Sequence, residues 1–298
     1  MTLHTHAGQL QPTAPFDFAK TLDFLGLFRP TSQEQVLTPN SVTKAINVDR
    51  HAVVFTLQSN GSVEQPSLAY TLYADRSFNP KIIDTALDRI RFYLSLDDDM
   101  RPFYEIAEKD RLFAGIASNL YGYHQVKFVS PFENAVWAIL TQRTAISIAW
   151  KFKDALVRAC NSSLTVDGRE YWAFPLAEQV VELTVDEIND LVKNKVKADR
   201  IHEVSKAFLT VDEHWLRYGP IDEVERWLRS LPGIGAWSTS FVLIRALGRI
   251  ERILVDDAEM NTAFEHYYGK DASLAAIKQR YGQYQGYWAH YLRVSGNH

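Results

Sequence analysis

Apolar positions fall into two regimes along the chain. Residues 16–28 carry apolar side chains at helical spacing, and the pattern then turns strand-like. The runs 45–48 and 51–57 are short and rich in β-formers, split by a turn at Asp49-Arg50, and 59–62 is a second turn before a strand over 68–73. Residues 81–95 return to a helical period, with Ile82, Ile83, Ala86, Leu87, Ile90 and Leu94 on one side. Beyond about residue 100 strand signals nearly vanish. Ser130 can cap a helix, Pro131 suits its first turn and Glu133 would complete a capping box, which predicts one long apolar helix over about 131–160. Phe174-Pro175 opens another segment, and Thr184-Val-Asp-Glu187 is a second capping signature. Further helices are expected near 196–210, 221–230, 236–248, 258–268 and 273–294. The fold class is therefore mainly α: a smaller α+β N-terminal domain over 1–112, then a helical domain over 113–298.

Composition narrows this picture only modestly. Hydrophobic residues at 46% and charged residues at 23% can build an ordinary globular core. No stretch approaches the roughly 18–20 apolar residues of a membrane span, and the polar start of the chain has no secretory core, so a soluble, cytoplasmic monomer with no membrane partner is expected. His4 and His6 lie on an end read as frayed, which argues against a metal-binding tip there. The net charge of −4 speaks mildly against nucleic acid, yet its distribution is uneven. Lys193, Lys195, Lys197, Arg200 and Lys206 cluster, Arg226, Arg229, Arg245, Arg249 and Arg252 flank a glycine pair, and acids gather at Asp97-Asp98-Asp99. Solvated helix faces would account for the same clusters.

The glycine pair is Leu231-Pro-Gly-Ile-Gly235, between two helical segments. Gly233 and Gly235 permit a tight backbone turn and leave amides bare at the start of the next helix, an arrangement suited to a phosphate. The carbonyls on the other side of such a turn can hold a monovalent cation. Taken alone, the pair is better explained as a simple helix–turn–helix corner, which recurs across helical folds.

The wider set of motifs is more specific. Leu231-Pro-Gly-Ile-Gly-Ala-Trp-Ser238 is followed by Leu254-Val-Asp-Asp257 and preceded by Phe132-Glu-Asn-Ala-Val-Trp-Ala-Ile-Leu-Thr-Gln142. Tyr93-Leu-Ser-Leu-Asp-Asp98, Phe174-Pro175 and Lys197-Ala198 complete the set. In this order, over about 90–295, the chain resembles the helix-hairpin-helix (HhH-GPD) DNA glycosylase superfamily, in particular its DNA-3-methyladenine glycosylase II branch. The N-terminal α+β unit fits the family's accessory domain only loosely. The resemblance implies an enzyme that removes alkylated bases of the 3-methyladenine and 7-methylguanine type from double-stranded DNA. A catalytically silent protein for damaged or abasic DNA is the alternative, and a helical scaffold without a DNA role is a third.

The resemblance also implies roles for particular residues. Gly233, Ile234, Gly235 and Ala236 would grip the DNA backbone, and the carbonyls of Arg229, Leu231 and Ile234 would hold a structural Na+ or K+. Asp256 and Glu259 read as a capping box, which makes Asp257 the first helical residue, with apolar Met260 three positions on. The step of 22 positions from Gly235 to Asp257 matches the branch and points to Asp257 as the catalytic carboxylate. Such an anion stabilises positive charge on the sugar and can orient or deprotonate water. Trp237 stands where bifunctional relatives carry a nucleophilic lysine, so hydrolysis without strand cleavage is implied. A single cysteine, Cys160, cannot supply a four-cysteine iron–sulfur cluster, and no cofactor is expected for catalysis. Trp237, Tyr287 and Trp288 are the expected base pocket, among C-terminal aromatics that include Tyr284 and Tyr291. Arg143, just after Gln142, would fill the gap left by the everted base, or would contact a phosphate. Thr141 replaces a common glycine, and residues 192–196 lack the glycine expected before Lys197-Ala198.

Overall fold

The computed structural model describes residues 2–31, 33–253 and 258–295. An antiparallel sheet of order β1-β5-β4-β3-β2 is built from β1 (His4–Leu10), β2 (Gln35–Thr38), β3 (Ser41–Val48), β4 (His51–Ser59) and β5 (Leu68–Ala74). On one face, Val53, Phe55, Leu57, Leu68, Tyr70 and Leu72 pack beneath α1 (Phe18–Leu27) and α2 (Pro80–Tyr93). The other face carries Ala52 and Val54 and is also covered, which explains why β4 reads as an unbroken apolar run rather than an alternation. Its cover is a second hairpin, β6 (Ser163–Val166) and β7 (Arg169–Trp172), whose Leu164 and Val166 seat on Ala45, Ala52 and Val54. The N-terminus is not frayed. β1 pairs with β5 from His4↔Ala74 to Leu10↔Leu68, and Gly8 leaves room for the Tyr70 ring, where a Cβ would come within 2.6 Å of the hydroxyl.

The remaining helices are α3 (Arg101–Ala107), α4 (Ala114–Asn119), α5 (Pro131–Thr141), α6 (Ile146–Ala159), α7 (Ala177–Val180), α8 (Val185–Val192), α9 (Lys195–Thr210), α10 (Glu213–Tyr218), α11 (Ile221–Ser230), α12 (Ala236–Arg245), α13 (Ala258–Tyr268), α14 (Leu274–Tyr281) and α15 (Gln285–Ser295). None of the described helices is long and apolar enough to cross a membrane. Two expected helices are interrupted. The 131–160 helix breaks at residues 142–145, where Gln142 leaves the helical region and Arg143 takes a left-handed φ of 50°. The C-terminal one breaks at Gly282, with φ of 49°, between α14 and α15. α5 is buried almost all round and centres the helical core. A third core joins Met100, Phe103, Phe113 and Tyr123 to α13, α14 and α15, so packing runs across residue 112 rather than dividing there.

Glu133 does not complete the expected capping box. Ser130 does cap α5, accepting from the Glu133 amide at 3.1 Å, but the Glu133 carboxylate turns inward to Lys153 Nζ at 2.6 Å. Lys153 also pairs with Glu34, which takes Lys44 Nζ at 2.6 Å. Burial alone would raise the Glu34 carboxyl, yet Lys153 and Lys44 hold it at about 2. Burial keeps Glu133 above the ordinary carboxylate range despite Lys153. Lys153 Nζ further donates to Pro30 O at 3.3 Å, and Trp150 Nε1 to Arg29 O at 2.6 Å. α6 thus grips the segment between α1 and β2. Removing the cation strands the buried Glu133 carboxylate and leaves Glu34 with Lys44 alone, so Lys153→Met is expected to cost about 3–5 kcal/mol in urea unfolding. Lys153→Met with Glu133→Gln should recover part of that loss, because Glu34 keeps Lys44.

Candidate nucleic-acid interface

α11 ends at Ser230, and the Leu231 amide closes its last turn on Leu228 O at 3.1 Å. The next four residues form a type II turn. Ile234 N donates to Leu231 O at 3.1 Å, Pro232 holds the second position and Gly233, with φ of 84°, holds the third. A Cβ at Gly233 would also meet Arg200 Cδ at 2.6 Å. Leu231 and Ile234 are buried and anchor the turn to the helical core. Gly235 is the N-cap of α12, and no side chain bonds the first-turn amides there. Its backbone is extended, a conformation open to any residue, and a Cβ would meet nothing within 4 Å. Gly235 therefore keeps the exposed helix start bare, as close approach of a phosphate requires.

A second loop is tied to this hairpin. Gln142 Nε2 donates to Gly233 O at 2.6 Å, and Gln142 Oε1 accepts from Arg200 Nη1 at 2.9 Å. Lys197 Nζ caps the end of α5 through Leu140 O at 2.5 Å and holds Thr144 Oγ1 at 2.5 Å. Burial, followed by Arg200, lowers the Lys197 pKa. α9 starts where it does because Asn194 caps it and Lys193 turns left-handed, with φ of 51°, in the stretch that lacks the expected glycine. The fixed loop presents Arg143 to solvent, with no carboxylate paired to it among the described residues, and exposed Ile146 and Ile148 follow. Other members of the basic clusters are partly neutralised. Lys195 pairs with Asp186, Lys206 with Glu203, Arg229 with Glu225 and Arg252 with Asp222.

Trp237, the second residue of α12, is 41% exposed, and one face of its indole stacks on Phe241 at 4.9 Å and 13°. Phe241 meets Phe128 edge-on at 5.9 Å, Phe128 meets Phe28 at 5.5 Å, and Phe28 stacks on Phe24 at 5.4 Å. Phe24 on α1 and Phe28 at its C-cap are half-buried, so the N-terminal unit supplies one end of a continuous run of aromatic rings behind Trp237. Sequence reasoning missed Phe24, Phe28 and Phe241. Their only signal is the four-residue spacing that aligns Phe24 with Phe28, and Trp237 with Phe241.

Trp288 does not join this run of rings. Its indole is enclosed by Phe264, Tyr268, Tyr281 and Phe113, with Nε1 donating to Tyr268 Oη at 3.0 Å, and it packs the third core. Tyr287 is buried between Phe103 and Tyr291, and donates to Asp98. It touches a separate cavity of about 490 Å³ lined by Asp98, Asp99 and Glu251, an acidic surrounding unsuited to a phosphodiester. Among the described residues no ring contact joins Tyr287 or Trp288 to Trp237. Asp256 and Asp257 lie outside the described residues. On the C-terminal side, Met260 is buried in the third core, as the step from Asp257 requires, and Glu259 is exposed and paired with Arg293 at 2.7 Å.

Residues 136–281 match the family model described as HhH-GPD superfamily base excision DNA repair protein. The chain belongs to the HhH-GPD superfamily. A DNA-3-methyladenine glycosylase of Bacillus subtilis is 28% identical over 170 residues, 56% of this chain and 56% of that protein. The chain thus spans little more than half the length of that curated relative. Two solved structures agree over nearly the whole chain. The 3-methyladenine DNA glycosylase of Archaeoglobus fulgidus has a TM-score of 0.80 at 19% identity, covering 97% of this chain and 98% of its own. An 8-oxoguanine glycosylase/lyase of Clostridium acetobutylicum, solved with double-stranded DNA, has a TM-score of 0.71 at 14% identity, covering 100% and 98%. At these identities the likeness is one of fold. It includes the N-terminal sheet, which lies outside the HhH-GPD match.

The two hairpin glycines differ in what they require. Gly233→Ala is expected to lose about 1–2 kcal/mol for its left-handed backbone alone, read by thermal or urea unfolding. Gly235→Ala should stay within about 0.5 kcal/mol of the parent in the same assay, as surface changes do.

Proposed function

We propose that this chain is a monofunctional DNA glycosylase that hydrolyses the N-glycosidic bond of alkylated purines in duplex DNA. The observation that carries the reading is the bare, uncapped start of α12 directly beside an indole with one face free. One feature suits a phosphate and the other a planar base. The superfamily and the 3-methyladenine glycosylases among its relatives support base excision as the chemistry.

On this reading, the amides of 235–237 and the helix dipole of α12 hold the DNA backbone. Arg143, on the loop fixed by Gln142 and Lys197, occupies the space vacated when the target nucleotide leaves the stack. The free face of Trp237 attracts a purine made cationic by alkylation, by about 0.5–2 kcal/mol. Asp257 stabilises positive charge building on the deoxyribose and directs water to C1′. Trp237 replaces the lysine that would form a Schiff base, so an abasic site is the product. The carbonyls of Arg229, Leu231 and Ile234 fit a hard monovalent cation. They are uncharged oxygens at a helix end, where in-helix donors run out, and Leu231 O keeps a lone pair after accepting from Ile234 N. Bound Na+ or K+ would strengthen the positive potential that faces the phosphate.

The test is base release from duplexes bearing 3-methyladenine or 7-methylguanine. Asp257→Asn is expected to slow release by about 100-fold or more while still binding an abasic duplex, with affinity that falls as salt rises. Full release by Asp257→Asn would overturn the assignment, and a covalent complex trapped by borohydride would overturn hydrolysis without lyase chemistry. Binding with no release by the parent chain would favour the silent DNA-binding alternative.

A further inference from the structure

Ten large apolar side chains are exposed among the described residues, and half of them gather in one region. Ile146 and Ile148 open α6, directly after the Arg143 loop. Val196 precedes Lys197, whose ammonium holds Thr144 of that loop. Trp237 follows the hairpin that Gln142 fixes. The fifth is distant in sequence. Leu27 ends α1, in the N-terminal unit, and is 62% exposed. Two bonds bring that end of α1 to the others. Trp150 Nε1 donates to Arg29 O at 2.6 Å, and Lys153 Nζ to Pro30 O at 3.3 Å. Trp150 stands four residues after Ile146, so it lies about 6 Å along α6 from the helix start. That is under two base-pair steps of a duplex, at about 3.4 Å each. The segment 27–30 therefore rests against the first turns of α6.

Charge on this surface is one-sided. Lys151, the residue after Trp150, is exposed, and no carboxylate pairs with it among the described residues. Arg143 is in the same position, and Arg29 is exposed as well. The acids of the region are mostly taken. Asp154 accepts from Arg158 at 2.8 Å, and Glu34 lies inside with Lys44 and Lys153. Asp23, one turn before Leu27, is the exposed acid of α1. A solvated helix face carries polar side chains, whereas gathered apolar groups mark a contact surface. The sugar–phosphate backbone fits both halves of this one, because it alternates apolar deoxyribose faces with phosphate charges. The surface is also continuous with the Arg143 loop and the bare start of α12.

We propose that the N-terminal unit is part of the DNA-binding surface. Leu27 and Arg29 at the end of α1, with Lys151 beside them on α6, grip the sugar–phosphate backbone that flanks the target nucleotide. The inference rests on the reading above, in which α12 and the Arg143 loop meet duplex DNA. Leu27 packs on a deoxyribose face, and the two cations meet neighbouring phosphates. Contact at the start of α12 alone holds one point of the backbone and leaves the duplex free to pivot about it. A second contact, set against α6 by Trp150 and Lys153, fixes the angle at which the duplex lies.

Binding of an abasic duplex, followed by fluorescence anisotropy from about 50 to 200 mM salt, tests this with Leu27→Glu, Leu27→Gln and Lys151→Gln. Both positions are exposed, so all three chains should fold. Glu and Gln share a shape, and a nearby phosphate tells them apart by charge. Leu27→Glu is expected to bind about tenfold more weakly than Leu27→Gln at low salt, with the gap closing as salt rises. Lys151→Gln should reduce the slope of log affinity against log salt by about 1. Lys81→Gln, at the opposite end of α2 from Tyr93, should match the parent. Equal binding by the two Leu27 variants, or an unchanged slope in Lys151→Gln, overturns the proposal. In the parent chain, bound duplex should shield Lys151 from amine acylation and leave Lys81 reactive. Equal reactivity of Lys151 with and without DNA refutes the contact. Release of 3-methyladenine and 7-methylguanine is measured on the same chains. The expected binding differences without release of either base would support this surface and overturn the glycosylase reading.

Discussion

The ammonium of Lys153 is the point on which the two halves of this protein agree. It lies in the interior between Glu133 at the start of α5 and Glu34 ahead of β2, and Glu34 is shared with Lys44 of β3. α5 is the axis of the helical core, and α6, which carries Lys153, begins at the loop of Arg143. One buried charge therefore sets the distance between the sheet and the helices that carry the Arg143 loop and the glycine hairpin. Arg217 and Asn47 reinforce that setting at other points. Arg217 lies over the Phe92 ring and pairs with Asp88 of α2, and Asn47 reaches Ser162 and Gln179.

Within the helical unit Gln142 does the corresponding work at shorter range. Its amide nitrogen fixes the Gly233 carbonyl and its oxygen takes Arg200, so the break after α5, the hairpin and α9 move as one body. This gives the Gln142 position a reason that does not involve DNA at all. A side chain able to donate and accept at once is needed where two loops meet, and the neighbouring residue is then free to point outward.

Legibility in the sequence followed locality. Caps at Ser130 and Thr184, and the helix ends around Gly233 and Gly235, depend on residues a few positions apart and were readable. β1 was not, because a strand at a sheet edge can be held by backbone pairing alone and its outward positions need no apolar side chain. The β6–β7 hairpin was missed even though Asp167-Gly168, both left-handed, is a strong two-residue turn signal. Helical periodicity on both sides masks so short a strand pair. Glu133 was misassigned because a capping box and a buried ion pair start from the same residues, and only the arrival of Lys153 from α6 decides between them. The aromatic run behind Trp237 follows the same logic. Trp237 was identifiable from the motif, whereas Phe24 and Phe28 enter from more than two hundred positions away, and Trp288 looked like a pocket residue until its four aromatic neighbours enclosed it.

The β6–β7 hairpin has a consequence for how the chain is made. The five sheet strands are complete once residue 74 has been synthesised, yet the face formed by Ala45, Ala52 and Val54 has no cover until residues 163–173 exist. Met100, Phe103 and Phe113 wait still longer, for α13 to α15 at the far end. The N-terminal unit therefore cannot mature on the ribosome as an independent module. It leaves the exit tunnel with apolar surface bare and depends on late, long-range contacts to finish, the circumstance in which folding is slow and a nascent chain most needs protection from its neighbours.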